Sequence, residues 1–321
     1  MDVVTFCRET RVLIVAGKGG TGKTTIAAAL AVMAAEAGVS VLVVELEGKP
    51  GLHAALGGTG PLRYDEVQVG AVRARRVTPD DSLLEYLNDH GLQRFSKRLV
   101  ASGLLEVVST AIPGLRDVLV LGKIKQLERA ESADLVIVDA PATGHAVTFL
   151  SSARGLLDAA RAGPVRTQAA EVLEMLRDPS RCRLILITLP EELPVSETIE
   201  AAYQLEDRVG VQLGPLVVNR FDPLPDGLRR SLDHRAATTA GLGDTEIRVL
   251  EEAQRFRLRR HEVQQEQIDR LARELPLPQL RVPTIQAPSI GPAETKLLAR
   301  SLSLSLTKVQ PESVAGPSAG S

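Results

Sequence analysis

Short runs of consecutive apolar residues alternate along this chain with longer stretches in which apolar residues recur at helical spacing. The short runs are typical of parallel strands that are buried on both faces. They lie at 12–16, 39–44, 135–138, 184–189, 215–219 and 280–285. The helical stretches lie at 26–37, 79–129, 151–181, 195–208, 244–275 and from 292 onward. This alternation predicts an α/β fold of three layers, with helices on both faces of a mostly parallel central sheet.

Most of the chain is predicted to form a single domain, 1–306. The stretch 79–129 is too long for a simple connection between strands, and Pro113-Gly114 interrupts its helical pattern. We therefore expect a helical insertion at 79–129, above the carboxyl edge of the sheet, together with helices at 151–181. From Thr307 the sequence is rich in Ser, Gly and Pro without periodicity, which predicts a disordered tail at 307–321.

A glycine-rich loop follows the first apolar run and precedes an alanine-rich helical stretch. Its sequence, Gly17-Lys-Gly-Gly-Thr-Gly-Lys-Thr-Thr25, fits the P-loop pattern in the strand–loop–helix context that the pattern requires. Backbone N–H groups can surround a polyphosphate only where side chains do not obstruct them, which explains the glycines. We expect Lys23 to contact the β- and γ-phosphates of a bound nucleotide, Thr24 a Mg²⁺ ion and Thr25 the α-phosphate. The predicted nucleotide-binding residues of the loop are Gly17, Lys18, Gly19, Gly20, Thr21, Gly22, Lys23, Thr24 and Thr25.

An aspartate ends the apolar run 135–138. A strand that ends in an acid, in a chain with a P-loop, has the form of a Walker B strand, so we expect Asp139 and Thr24 to hold Mg²⁺, Asp139 through a water molecule. On its own, an aspartate at a strand end is often only a turn former. The residues that follow, 140–145, are predicted to form a loop that senses the γ-phosphate.

Composition and charge exclude several other classes of protein. Hydrophobic residues make up 44% of the chain but aromatic residues only 2%, so the core is predicted to be aliphatic. The formal net charge of −2 is not the strongly positive charge that non-specific binding of nucleic acid requires, so no nucleic-acid partner is expected. Cys7 and Cys182 lie far apart without a Cys-x-x-Cys motif, so we expect neither a zinc site nor a disulfide framework. Because the first residues do not resemble a signal peptide, a cytoplasmic location is expected.

Lys18, directly after the first glycine of the loop, is similar to the lysine of the deviant P-loop in dimeric ATPases of the partitioning, septum-site, nitrogenase-reductase and arsenical-pump groups. In those proteins this lysine reaches across a dimer interface to the partner's nucleotide. A second motif, Asp139-x-x-x-Thr143-Gly144-His145, resembles the switch of the arsenical-pump-driving ATPase family, which also contains the ATPase that targets tail-anchored membrane proteins. The resemblance covers nearly the whole chain.

The resemblance implies further site residues. Glu191 lies in a segment similar to the one in which the family's partner subunit supplies a nucleotide contact. Asn219 ends a strand like the one whose asparagine reads adenine, and Pro288 is also placed among the nucleotide-binding residues. Aligned runs place Glu47 where the family carries the aspartate that orients the attacking water. Lys18 and Lys23 complete the implied catalytic set.

The chain also departs from the family pattern. Glutamate at 47 has one more methylene than aspartate, and because a displacement of ~1 Å changes rates by orders of magnitude, it is compatible with the same role or with slow hydrolysis. The proline of the second switch stands one place early, at Pro141. The chain lacks the zinc-binding Cys-x-x-Cys and the arsenite-binding cysteine cluster, and three Met do not make an obvious groove for transmembrane helices. The chain corresponds to one ATPase unit rather than to a double-length pump subunit.

The resemblance thus implies a Mg-ATP-dependent ATPase that works as a dimer, with a second copy or with a related ATPase chain. Hydrolysis would drive switching between open and closed forms that acts on a client protein or a membrane partner. One alternative is an ATP-gated dimerisation module with negligible hydrolysis. Another is an ATPase of the partitioning or septum-site type, which predicts a basic C-terminal helix; 293–306, with one Lys and one Arg, does not look like one.

Overall fold

The structure, a computed structural model, describes residues 2–46, 51–89, 91 and 113–308. Nine strands of this part form one sheet: β1 (Val12–Gly17), β2 (Val41–Glu45), β3 (Val67–Val69), β4 (Val72–Arg76), β5 (Leu135–Ala142), β6 (Cys182–Thr188), β7 (Gln212–Leu213), β8 (Leu216–Val218) and β9 (Gln279–Arg281). Their order is β3-β4-β2-β5-β1-β6-β8-β9, and β7 also pairs with β6. All of these pairings are parallel except that of β3 with β4. The predicted mostly parallel sheet is confirmed.

Helices follow most of the strands along the chain. Those of the described residues are α1 (Val3–Arg8), α2 (Lys23–Glu36), α3 (Gly51–Leu56), α4 (Pro79–Asp89), α5 (Leu115–Arg129), α6 (Thr143–Ala159), α7 (Pro164–Arg177), α8 (Glu192–Arg208), α9 (His234–Thr239), α10 (Asp244–Glu274) and α11 (Pro292–Lys308). No helix in the described part combines the length and the apolar character needed to span a bilayer.

The two faces of the sheet bury separate apolar cores, because alternate residues of a strand point to opposite faces. In β1, Val12, Ile14 and Ala16 belong to one core, and Leu13 and Val15 to the other. Residues of α4, α5, α6, α7, α8 and α10 complete the first core, and residues of α1, α2, α3 and α11 complete the second. The molecule therefore has the three layers that the sequence predicts, with the sheet in the middle.

Helix α2 is buried along most of its length, between the sheet and α11. Five of its residues are fully buried alanines, whose short side chains let neighbouring backbones approach closely: Ala27, Ala28, Ala29, Ala31 and Ala34. Because α2 packs against the sheet on one side and α11 on the other, its first turn, which carries Thr24 and Thr25, is fixed relative to the ends of the central strands.

The stretch 79–129 contains two helices in its described part, α4 and α5. Helix α5 begins directly after Pro113-Gly114, where Gly114 adopts a left-handed conformation with φ of 78° and is the N-cap. Leu121 and Ile124 of α5 are fully buried in the first core. Helix α5 therefore packs into the apolar core next to the sheet. Residues 90 and 92–112 of the expected insertion lie outside the described residues.

The expectation of a loop at 140–145 is wrong. Strand β5 continues to Ala142, and α6 begins at the next residue. On one side, β2 ends at Glu45, opposite Asp139, so Pro141 lies beyond that ladder and its missing N–H breaks no bond to β2. On the other side, β5 stays paired with β1 as far as Ala142, opposite Gly17. The segment that resembles the family's second switch is thus a strand end and the first turn of a helix.

An ion pair joins the sheet to α5 at the edge opposite the glycine-rich loop. Arg181, directly before β6, donates to both carboxylate oxygens of Glu128, at 2.8 and 3.2 Å. Both side chains are largely buried, and the hydrogen bonds to Glu128 raise the pKa of Arg181 above its ordinary value. The C-terminal helix α11 ends at Lys308, so the first two residues of the predicted tail are helical, and 309–321 lie outside the described residues.

Candidate functional site

The glycine-rich loop begins at the carboxyl end of the central strand β1. Gly17 lies in register with Ala142 of β5 and with Ile187 of β6. A Cβ atom at Gly17 would lie 2.4 Å from the carbonyl oxygen of Ile187, so a larger residue does not fit between these strands. The carboxyl ends of the strands are where parallel α/β sheets bind ligands.

The loop has a glycine-dependent backbone and one open side. Gly20 and Gly22 have φ angles of 88° and 91°, which favour glycine. Thr21 is buried, and its hydroxyl donates a hydrogen bond of 2.8 Å to the carbonyl oxygen of Lys18, closing the turn. In the part of the chain that the structure describes, a Cβ atom added at Gly19 or Gly20 would meet no atom within 4 Å. This is the arrangement in which backbone N–H groups can surround a phosphate.

The first turn of α2 gathers the residues predicted to contact phosphate and metal. Gly22 is the N-cap, and Lys23, Thr24 and Thr25 follow it. The first N–H groups of a helix have no partner within the helix, and the helix dipole places partial positive charge there. Both effects favour a bound anion at this position.

Thr24 meets Asp139, which belongs to the neighbouring strand β5. The Thr24 hydroxyl donates a hydrogen bond of 2.7 Å to Oδ2 of the buried Asp139 carboxylate. Mg²⁺ prefers oxygen ligands and usually takes one or two protein groups beside water and phosphate oxygens. Among the described residues, no group of three or more His, Cys, Asp or Glu side chains is arranged to hold a metal ion. The hydroxyl of Thr24 and the carboxylate of Asp139 are thus oxygen ligands of the kind that Mg²⁺ takes, on neighbouring elements.

Glu45 is a second buried acid at the same edge of the sheet. It is the last residue of β2, lies in register with Asp139, and is only 3% exposed. Burial, together with the negative charge of Asp139, raises the pKa of the Glu45 carboxyl to about 7, against the lowering effect of Arg76. The sequence predictions did not include Glu45, although the signal was the same as at Asp139: an acid that ends an apolar run.

Asn219, one residue beyond β8, reaches the same loop. Its Nδ2 donates to the carbonyl oxygen of Thr21 at 2.8 Å, and its Oδ1 accepts from the backbone N–H of Arg220 at 2.9 Å. A Cβ atom at Gly22 would lie 2.5 Å from Nδ2, so this close approach requires the glycine. Because an amide has two N–H donors and an oxygen with two lone pairs, Asn219 keeps capacity for a base edge while it supports the loop.

Lys18 forms an ion pair with Glu197 of the same chain. Glu197 lies on α8, 179 residues away in sequence, and both side chains are about one-third exposed. In the single chain, the lysine predicted to reach a partner's nucleotide is thus held by its own subunit. Nothing in the sequence indicated this contact, because the two residues lie far apart along the chain.

The remaining predicted site residues are more dispersed. Glu191 is exposed and is the N-cap of α8. Pro288 is exposed in the segment between β9 and α11. Glu47 lies outside the described residues. Gly51, at the start of α3, lies beside the site, because a Cβ atom added there would be 3.5 Å from Cγ2 of Thr24.

Comparison with known proteins points to one family. A family model described as an anion-transporting ATPase matches residues 10–160. The protein named ATPase BagA of Mycobacterium tuberculosis is 38% identical over 226 residues, which is 66% of this chain and 66% of that protein. A putative arsenical pump-driving ATPase of Halobacterium salinarum is 31% identical over 257 residues, 72% of this chain and 39% of that protein. The chain belongs to the ArsA-like ATPase family.

For this ArsA-like ATPase, the matched family region contains the P-loop, Glu45 and Asp139, but not Glu197 or Asn219. An arsenical pump-driving ATPase of Escherichia coli is 28% identical over 221 residues, 68% of this chain. The match spans 66% of the length of the mycobacterial protein and 36% of that of the Escherichia coli protein. The longer relatives therefore contain large regions that have no counterpart in the matched part of this chain.

Proposed function

We propose that this ArsA-like ATPase binds Mg-ATP at the P-loop and hydrolyses it to ADP and phosphate, as a dimer that closes with ATP and reopens after hydrolysis. The contact of Thr24 with Asp139 carries the proposal, because it joins the helix of the P-loop to an acid at the end of the adjacent strand. In phosphoryl transfer by P-loop proteins, a hydroxyl and a carboxylate in these positions hold Mg²⁺. The family assignment supports ATP as the nucleotide.

The chemistry would depend on positioning and charge rather than on a covalent intermediate. Lys23 and the N–H groups of the loop would neutralise the phosphates, and Thr24 and Asp139 would hold Mg²⁺, which supplies further charge stabilisation when bound. Glu47 is proposed to orient the attacking water. The approach of Gly51 to Thr24 supports this role, because it brings the chain just after 47–50 to the metal-binding side of the loop.

We further propose that Lys18 acts across the dimer. Its ion pair with Glu197 must then open before the lysine reaches the partner's phosphates, so closure exchanges an intramolecular ion pair for contacts with the partner's nucleotide. Glu191, Asn219 and Pro288 are proposed to complete the nucleotide site, with Asn219 at the adenine. The partner is a second copy or a related ATPase chain, and the open and closed forms act on a client protein or a membrane partner.

Steady-state release of phosphate from ATP tests the proposal. Wild type is compared with Lys23→Ala, with Thr24→Val, which removes the hydroxyl, and with Thr24→Ser, which retains it. Lys23→Ala is expected to lose at least about 100-fold in rate, because the phosphates lose their main cation. Thr24→Val should need more Mg²⁺ for half-maximal rate, and Thr24→Ser should stay close to wild type.

Two results would contradict the proposal. Equal turnover by wild type and Lys23→Ala would remove the assignment of the reaction to this loop. Tight ATP binding by wild type without turnover would favour the dimerisation module that does not hydrolyse ATP.

A further inference from the structure

The long helix α10 carries a stripe of exposed apolar side chains. Val249, Phe256 and Val263 are 59%, 62% and 54% exposed. They recur every seven residues, which places them on one face of the helix at the spacing of a coiled-coil seam. Elsewhere around the helix, Ile247 and Ile268 are buried, so α10 is seated on its own subunit while the stripe faces outward. We call these three residues the α10 stripe.

The charges beside the α10 stripe are arranged symmetrically about Phe256. Glu252 precedes Phe256 by four residues and Arg260 follows it by four, and both are exposed. At about 100° per residue, each lies roughly 40° from Phe256 around the helix, so both flank the stripe. Val249 and Val263 are likewise seven residues before and after Phe256. The pattern thus has a centre, with like apolar residues and opposite charges at equal distances on the two sides.

Such a pattern complements itself when a second copy of the helix runs antiparallel to the first. A two-fold axis at Phe256 places Val249 opposite Val263 of the partner subunit and Glu252 opposite Arg260 of the partner subunit. A parallel pair in the same register would place Glu252 opposite its own copy and Arg260 opposite its own copy, which is repulsive. The charges therefore favour a second copy of this chain, in the antiparallel orientation, as the occupant of the stripe.

The stripe adjoins the residues proposed to contact a partner's nucleotide. Phe256 and Val263 line a cavity of about 600 Å³ together with Pro190 and Glu191. A chain that packs on the stripe would therefore also cover Glu191. We propose that α10 pairs antiparallel with α10 of a second copy, centred on Phe256, and that this helix pair is part of the dimer that closes around ATP. This inference rests on the proposed function, because it specifies the partner and the contact surface of that dimer.

Cysteine crosslinking tests both the contact and its orientation. The native Cys7 and Cys182 are buried, and burial raises the pKa of both thiols to about 12, so an introduced surface cysteine should be the reactive one. With Mg²⁺ and a slowly hydrolysed ATP analogue, Phe256→Cys is expected to form dimers with a short bismaleimide. Val249→Cys alone should not, because fourteen residues of helix separate the two copies by ~21 Å in an antiparallel pair. A mixture of Val249→Cys and Val263→Cys chains should crosslink.

Charge exchange provides a second, independent measurement. Glu252→Arg alone or Arg260→Glu alone should raise the dimer dissociation constant several-fold, measured by sedimentation. The double variant should restore it, because the pair is re-formed with opposite signs. Within one chain the two residues are eight positions, or about 12 Å, apart along the helix, so rescue would report contact between subunits. Glu262→Arg is the matched control: the same change on the exposed side of α10, about 120° from Phe256, should leave dimerisation unchanged.

Crosslinking of Phe256→Cys and of the Val249–Val263 mixture, together with rescue by the double variant, would support the antiparallel pair. Self-crosslinking of Val249→Cys, or failure of Phe256→Cys to crosslink while wild type dimerises, would overturn it. ATP hydrolysis by the wild-type protein tests the proposed function separately. If wild type hydrolyses ATP and dimerises but the cysteines do not react, only the helix pairing is refuted. If wild type does not bind ATP but Phe256→Cys and the Val249–Val263 mixture still crosslink, the proposed function fails and the helix pairing stands.

Discussion

Replacing Glu45 by Gln should remove the loss of stability that this carboxyl causes in the apoprotein as the pH rises. The carboxyl is buried and lies in register with Asp139, and its pKa in the folded protein is about 7 instead of the ordinary 4.5. Between these two pH values the folded protein keeps a proton on Glu45 that the unfolded chain has released. Folding therefore takes up a proton in this window, and the free energy of unfolding falls as the pH rises through it.

The difference between 4.5 and about 7 sets the magnitude, because each pH unit corresponds to about 1.4 kcal/mol. Ionised Glu45 therefore destabilises the folded apoprotein by about 3 kcal/mol above neutral pH, and by close to nothing below about pH 4.5. A glutamine has nearly the same shape and carries no charge. Glu45→Gln should thus match wild type near pH 5 to within about 1 kcal/mol and exceed it by about 3 kcal/mol near pH 8.

Urea unfolding at several pH values measures this difference, with chelator present and nucleotide left out. A cation beside Asp139 would favour the ionised form of Glu45 and mask the effect. Glu206→Gln, on the exposed side of α8, is the matched control and should follow the wild-type curve. If the stability difference between wild type and Glu45→Gln is the same near pH 5 and near pH 8, the reasoning about a buried carboxyl next to Asp139 is refuted.

Three further predictions concern other contacts. Asn219→Ala should weaken ATP binding by about 1 kcal/mol or more, because the loop loses the hydrogen bond to Thr21, and it should relax the preference for ATP over GTP in titrations; an unchanged ATP/GTP ratio would place the adenine contact elsewhere. Glu128→Ala should lower the free energy of urea unfolding by about 2 kcal/mol, because Arg181 loses a bidentate, largely buried partner; a loss below about 0.5 kcal/mol would mean that the pair behaves like one on the open surface. Dimerisation in sizing experiments should be unaffected by zinc or by a zinc chelator, since the chain lacks a Cys-x-x-Cys pair; a chelator-sensitive dimer would reveal a metal site made of other ligands.

The order of strands and helices could be predicted because most elements are long and have a clear pattern. The run at 12–16 became β1, Val12–Gly17, since a strand buried on both faces shows itself as continuous apolar sequence. The helical stretch predicted at 244–275 corresponds to α10, whose observed end, Glu274, differs from the predicted end by one residue. Short elements such as β7 and α9 contain too few residues for a periodic pattern.

The wrong prediction of a loop at 140–145 shows what local sequence patterns cannot predict. Proline and glycine at 141 and 144 favour a loop locally, but pairing of β5 with β1 extends the strand to Ala142. The partner strand is more than a hundred residues away in sequence, so local preference cannot report it.

The residues of the candidate site also differ in whether the sequence alone could predict them. The glycine-rich loop could be predicted because its residues are consecutive and phosphate binding requires those residue types. Glu45 and Glu197 depend on neighbours that only the topology brings close: Asp139 on the adjacent strand, and Lys18 at a separation of 179 residues. The symmetry of the α10 stripe likewise became visible only when burial showed which side of the helix faces outward.

Mixing two inactive variants tests the central claim, a composite ATP site shared by two subunits, most directly. Lys18→Ala and Lys23→Ala chains are each expected to be nearly inactive alone, with Lys18→Ala keeping ATP affinity as a monomer. In an equal mixture, half of the dimers should pair one chain of each kind. One of the two sites in such a dimer combines the intact Lys23 of one chain with the intact Lys18 of the other, so the mixture should recover about a quarter of wild-type turnover. No recovery, or full activity of Lys18→Ala alone, would contradict a site that needs lysines from both subunits.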